Sequence, residues 1–136
     1  MSEMQDFNAR IAEEFRMNAG KVGMFADTTV LLLTTTGAKT GTERVTPLVY
    51  LGDGDRYMVF ASAGGSPRHP GWYYNLKATP EVTLEVGTEK FRARASELTG
   101  DERDRIFAVQ SARSPQFAEY QDMTTRTIPV IALERI

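Results

Sequence analysis

The sequence predicts a mainly β domain, a small barrel with peripheral helices, and three observations carry that reading. Six segments have the length and the apolar, β-branched character of strands. Short turns join several of them, as antiparallel neighbours allow. The alternating right-handed crossovers of a doubly wound parallel sheet are missing. Closing such strands on themselves removes exposed edges, which makes a barrel the natural arrangement.

Each element follows from a local pattern. Met4, Phe7, Ile11 and Phe15 recur at three- and four-residue spacing, so residues 2–18 read as an amphipathic helix. Its apolar face packs on the domain in the simpler reading and lies on a membrane surface in the sharper one. Gly20 and Gly23 mark a break, giving a helix and linker over 1–26 ahead of a barrel domain over 27–136. Strands are expected over 30–36, 44–51 and 56–61, joined by the turns at 37–41 and 52–55 into a three-stranded meander. A glycine-rich loop over 62–71 leads to a short helix over 72–78 that ends before Pro80. Strands over 82–86 and 90–98 bracket Gly87-Thr88 as a hairpin. Thr99 to Glu102 reads as a capping box opening a helix to about residue 112. A short helix follows Pro115, and a strand over 128–133 closes the domain.

Bulk properties narrow the function classes. At 136 residues the chain fits one domain, and 41% hydrophobic with 25% charged residues is ordinary for a globular protein. The apolar run at 30–33 is too short to span a bilayer. No basic start with an apolar stretch marks a signal peptide, so a cytoplasmic location is expected. With no cysteine and one histidine, His69, cysteine-based and histidine-rich metal sites are excluded. A net charge of −2 gives no support for broad nucleic-acid binding. Any anion site must be local.

Three segments could supply one. In the loop from Ala61 to Gly71, Gly64-Gly65 allows backbone conformations that converge N–H groups on an anion. The loop runs into a helix N-terminus, which favours phosphate or carboxylate, and Ser62 and Ser66 add hydroxyls. A plain surface connection is the other reading. The hairpin from Thr34 to Arg44 superficially resembles a phosphate-binding P-loop, but Lys39 follows Gly37 by only two positions and no helix follows, so a nucleotide site of that type is rejected. It projects Lys39 at its tip and Arg44 at the base of the next strand, either as anion contacts or as a solvated turn. Trp72, Tyr73 and Tyr74, with Phe117 and Tyr120 later, suit a flat heteroaromatic ligand or plain core packing. No nucleophile–base pair stands out, so in an enzyme a cofactor would carry the chemistry.

The run from Leu31 to Leu48, LLLTTTGAKTGTERVTPL, resembles the signature of the deazaflavin-dependent nitroreductase and quinone reductase family. The run from Ala61 to Leu76, ASAGGSPRHPGWYYNL, resembles it as well, as do Tyr120 and Ile128-Pro129-Val130-Ile131. The likeness covers nearly everything from about residue 28. It implies a split β-barrel like those that bind FMN, and coenzyme F420, whose phospholactyl oligoglutamate tail is a polyanion. It further implies hydride transfer from the reduced deazaflavin to a quinone, nitroaromatic or other electron-poor small molecule. By motif position, Lys39 and Arg44 would hold the phosphate or glutamates, and Pro47 and Val49 would line the ring. Ala61, Ser62, Ala63, Gly64 and Gly65 would form the amide loop, with His69, Trp72, Asn75 and Leu76 completing the wall. Ala38 and Ala63 stand where relatives often carry a basic residue, and Phe117 stands where a tyrosine can line the substrate pocket. Tyr120 is retained as a pocket hydrogen-bond or proton donor. A non-catalytic F420 or flavin carrier and an FMN-using reductase are the rival readings, and the chain is expected as a monomer or homodimer.

Overall fold

The computed structural model describes residues 3–23 and 29–136. Strand β1 (Val30–Thr36) carries apolar side chains on both faces, and both faces are covered. Leu31 and Leu33 turn into the barrel with Val59, Leu84, Ile131 and Leu133. Val30 and Leu32 turn outward against Ile11, Phe15 and Val22. Neighbouring residues of a strand point to opposite faces, so an unbroken apolar run demands a cover on each side.

The outer cover is helix α1 (Glu3–Met17). Phe15 is 1% exposed, and burying a side chain of this size is worth about 1.5–3 kcal/mol. Arg16 then clamps α1 to β5 (Glu81–Val86), its Nε and Nη2 donating to the Glu85 carboxylate at 2.9 and 2.8 Å. Phe7, Ile11 and Phe15 therefore face the barrel, and the membrane-surface reading loses the apolar stripe it needed. Among the described residues no helix is long and apolar enough to cross a membrane. Ser2, the Met4 side chain and the expected division at 26/27 lie outside the described residues.

The other strands are β2 (Glu43–Val49), β3 (Leu51–Asp53), β4 (Arg56–Phe60), β6 (Glu89–Leu98) and β7 (Val130–Arg135). Among the described residues the sheet thus has seven strands, one more than expected, all antiparallel in the order β2-β1-β5-β6-β7-β4-β3. The single strand expected over 44–51 is two. Tyr50 is the transfer point: its N–H still donates to the Thr29 carbonyl beside β1, at 3.1 Å, while Leu51 already pairs with Met58 of β4. The expected meander is corrected accordingly, because β4 runs beside β7 and not beside β2. The two edge strands are joined by one residue, so the sheet must curl until its edges approach at Tyr50. The result is a split barrel.

Helices α3 (Gly100–Arg113) and α4 (Gln116–Asp122) cover the outer face of β4 and β7 through Ile106, Phe107 and Phe117. The capping box does not form. Thr99 makes no side-chain cap bond, Gly100 is left-handed at φ +60°, and the Glu102 carboxylate accepts from Arg56 at 3.1 Å instead. Strand β7 begins two residues later than expected. The Ile128 N–H is taken by Gln121 Oε1 at 2.9 Å, and Pro129 has no N–H to offer the ladder. Helix α2 (Gly71–Ala78) sets Trp72 and Leu76 into the barrel interior. Strands β1 and β4 run in the same direction, so the hairpin after β1 and the loop after β4 emerge at one end of the barrel.

Candidate functional site

That end of the barrel is built from the β1–β2 hairpin tip, the loop Ala61–Gly71 and the start of α2. The tip closes with Gly37 N–H on the Thr42 carbonyl at 2.7 Å and Gly41 N–H on the Gly37 carbonyl at 2.8 Å. Asn75 ties it to α2: its Oδ1 accepts from the Ala38 N–H at 3.0 Å and its Nδ2 donates to Thr35 Oγ1 at 3.1 Å. Both ends of the amide are engaged, so Asn75 positions the tip as well as bordering it. Lys39 and Arg44 project exposed, and neither is in an ion pair among the described residues.

The loop begins with a 3-10 turn, Ala63–Gly65, in which Ala63, Gly64 and Gly65 all have positive φ (46°, 63° and 85°). For the alanine this conformation costs on the order of 1–2 kcal/mol, so the surroundings must impose it. The turn is packed closely at Gly65: a Cβ there would lie 3.0 Å from Met123 Cβ, at the end of α4, and 3.1 Å from the Tyr120 carbonyl. Gly65 N–H donates to the Ser62 carbonyl and Ser66 N–H to the Ala63 carbonyl. The amides of Ser62, Ala63 and Gly64 donate to no group among the described residues. Pro70 supplies no side-chain cap to α2; the Tyr73 N–H donates to the Pro70 carbonyl at 3.0 Å, and the Gly71 and Trp72 amides donate to no group among the described residues.

Behind the loop stands Arg126, which sequence patterns did not single out. Its Nε donates to the Ser66 carbonyl at 3.0 Å, Nη1 to the Ala61 carbonyl at 3.0 Å and Nη2 to the Ser62 carbonyl at 2.9 Å. Nη1 also lies 3.0 Å from His69 Nδ1. Burial pushes its pKa down, yet a guanidinium keeps its charge in proteins. No carboxylate pairs with it among the described residues, so it leaves a net positive charge beneath the open amides. Its own segment is fixed by Gln121, whose Nε2 donates to the Arg126 carbonyl at 2.7 Å. No local signal could have found this: Arg126 and His69 are 57 residues apart.

His69 stacks on Tyr73 with ring centroids 4.3 Å apart and meets Tyr74 edge-on at 5.8 Å. Burial and the neighbouring Arg126 charge lower its pKa, against an opposing pull from Glu97. The Tyr73 hydroxyl donates to Glu97 Oε1 at 2.7 Å, and burial with that bond raises its pKa to about 12. Tyr73 therefore stays protonated at any ordinary pH.

The remaining candidates sit apart. Trp72 and Leu76 belong to the interior cluster and support α2 from below. Pro47 and Val49 lie opposite Leu32 and Val30, and Val49 packs toward α1. At about 3.3 Å per residue, the five-residue step from Arg44 places Val49 roughly 17 Å along the strand from the hairpin base. Phe117 is buried against Phe60 at 5.4 Å, in the outer core and not on an open wall. Tyr120 meets Phe117 edge-on at 5.6 Å and is half-buried. A hollow of about 680 Å3 opens at the opposite end of the barrel, lined by Glu14, Lys21, Thr29, Val30, Tyr50 and Gly87. It touches neither the loop nor the hairpin tip, so the site is defined by its donors and charges.

A family model described as F420H(2)-dependent quinone reductase matches residues 8–135. The chain is 44% identical over 108 residues to an F420H(2)-dependent quinone reductase of Mycobacterium tuberculosis (strain H37Rv), covering 77% of this chain and 72% of that protein. A solved F420-H2 dependent reductase is 42% identical, with a TM-score of 0.71 over 77% of this chain and 93% of that one. A solved chain described as a domain-swapped dimer is 34% identical, with a TM-score of 0.74 over 98% of this chain and all of that one.

Proposed function

The chain belongs to the F420H(2)-dependent quinone reductase family, and we propose that its amide loop and hairpin tip form the cradle for the acidic part of coenzyme F420. The protein is an oxidoreductase that uses F420H2 to reduce a quinone-type acceptor. The observation that carries the cradle is a juxtaposition: the Ser62, Ala63 and Gly64 amides donate to no group among the described residues, and Arg126, which no carboxylate pairs among them, holds the Ala61 and Ser62 carbonyls of the same loop. Dipoles and charge arranged this way suit a phosphate. Lys39 and Arg44 would add point charges for carboxylates, and such donors fit the tail that the resemblance implies.

When bound, the cofactor supplies the hydride; every other contribution is made by the chain. The loop and hairpin orient the ligand and replace its water at the anionic end. Pro47 and Val49 would line the apolar end of an elongated ligand running along β2. Ala61, His69, Trp72, Asn75 and Leu76 shape or support the loop side. Tyr120 is the proposed hydrogen-bond donor toward the acceptor, with Phe117 packing behind it. A homodimer is the proposed assembly, supported by the domain-swapped relative, and a cytoplasmic location completes the reading.

Titrating the purified protein with oxidised F420, FMN and FAD, then offering F420H2 with menadione, tests this. Binding of F420 above both flavins, followed by menadione-dependent oxidation, is expected. Tight binding without that oxidation supports a carrier, and absence of F420 binding removes the cradle.

A further inference from the structure

Arg126 does more than add charge, because its contacts constrain the chemistry of a neighbour. A guanidinium can only donate, so the 3.0 Å contact with His69 makes Nδ1 the acceptor. An imidazole whose Nδ1 accepts carries its proton on Nε2 and is neutral. No group among the described residues takes that Nε2–H. The same guanidinium bonds the carbonyls of Ala61, Ser62 and Ser66, which turns those carbonyls toward Arg126, and the Ser62, Ala63 and Gly64 amides donate to no group among the described residues.

We propose that Arg126 is a positioning residue that locks His69 as a neutral Nε2–H donor and holds the Ala61–His69 loop ready for an anionic ligand. The histidine thereby joins the Ser62 to Gly64 amides as a further uncharged donor, facing a phosphate or carbonyl oxygen. The ligand half of this rests on the F420 reading above; the tautomer half does not.

The groups facing the imidazole favour this role on balance. Arg126, from the segment after α4, opposes a second positive charge, and burial acts in the same direction. Tyr73 of α2 stacks on the ring and, with its pKa raised to about 12, stays neutral, while Tyr74 of the same helix meets the ring edge-on. Glu97 of β6 pulls the other way, but its Oε1 is shared between the Tyr73 hydroxyl and Lys77 Nζ, at 2.7 and 3.1 Å. The balance leaves the His69 pKa lowered from 6.5.

His69 is the only histidine in the sequence, so its imidazole nitrogens can be read in the intact, ligand-free protein by 15N NMR without ambiguity. The Nε2–H tautomer and a titration midpoint below 6.5 are expected. Arg126→Gln should raise the midpoint, mix the tautomers and weaken oxidised F420 binding at least about tenfold. Should that variant fold poorly, Arg126→Lys reads the same signals, since an ammonium keeps the charge and loses the planar fork. His69→Gln, which keeps an N–H near the Nε2 position, should bind F420 within about threefold of wild type, and His69→Asn should lose about tenfold. A dominant Nδ1–H tautomer in wild type, or tautomers unchanged by Arg126→Gln, overturns the proposal. If the tautomer signature is present and wild type binds no F420, the cofactor reading falls and the positioning role stands. If F420 binds and the signature is absent, the reverse holds.

Discussion

The hairpin tip and the amide loop lie at the same end of the barrel and are held in opposite ways. The tip is tied to α2 by one side chain, Asn75, and carries its charge outward on Lys39 and Arg44. The loop is clasped from behind by four Arg126 contacts, pressed by Met123 at Gly65, and carries its charge inside. One half attracts an anion with mobile point charges that ordering must restrain. The other uses fixed dipoles over a half-buried cation, which need no rearrangement when the ligand arrives. A defined group such as a phosphate suits the loop, and a flexible carboxylate chain suits the tip.

The strongest way to break this contrast is Gly65→Ala. The residue has φ +85°, and its new Cβ would crowd Met123 and the Tyr120 carbonyl. A loss of about 1–3 kcal/mol in urea melts is expected, with F420 affinity falling by ten- to a hundredfold. Near-normal binding would show that the loop is not pre-formed. Asn75→Ala should come next, at about 0.5–1.5 kcal/mol for each hydrogen bond removed. With the tip released, Lys39→Ala should then cost almost nothing further, so the double mutant should be non-additive.

Alone, Lys39→Ala and Arg44→Ala should leave stability within about 0.5 kcal/mol of wild type. Each should weaken F420 binding about two- to fivefold at low ionic strength and less as salt is added, because exposed charges are screened. The loss in Arg126→Gln should persist at high salt. Equal salt sensitivity in all three would erase the distinction between the halves.

Glu85→Gln is the control outside both regions. The hydrogen bonds from Arg16 hold the Glu85 carboxyl below the usual 4.5 despite burial, so its contribution to stability is present above the unfolded value and disappears as pH falls through the folded one. Acid below about pH 4.5 should therefore loosen α1 in wild type, seen as lost helical circular dichroism. The variant should begin less stable at neutral pH and lose that acid dependence. Its F420 affinity at neutral pH should not change.

Local pattern alone determined the helices, most strands, the hairpin turn at Gly87-Thr88 and the two motif-bearing segments, because backbone period and turn chemistry are written in neighbouring residues. It also identified the loop as a place where amides could converge. Where the chain pairs with itself was decided in three dimensions. Tyr50 divides one apparent strand between opposite edges of the sheet, since each half found a different partner across the barrel. The packing of Phe117 on Phe60 was likewise set only when α4 docked on the sheet. Thr99 and Glu102 have capping-box spacing, yet Arg56 of β4 took the carboxylate. Arg126 shows the limit most sharply: no spacing near it hints at a role, and only folding brings its fork to carbonyls more than sixty residues upstream.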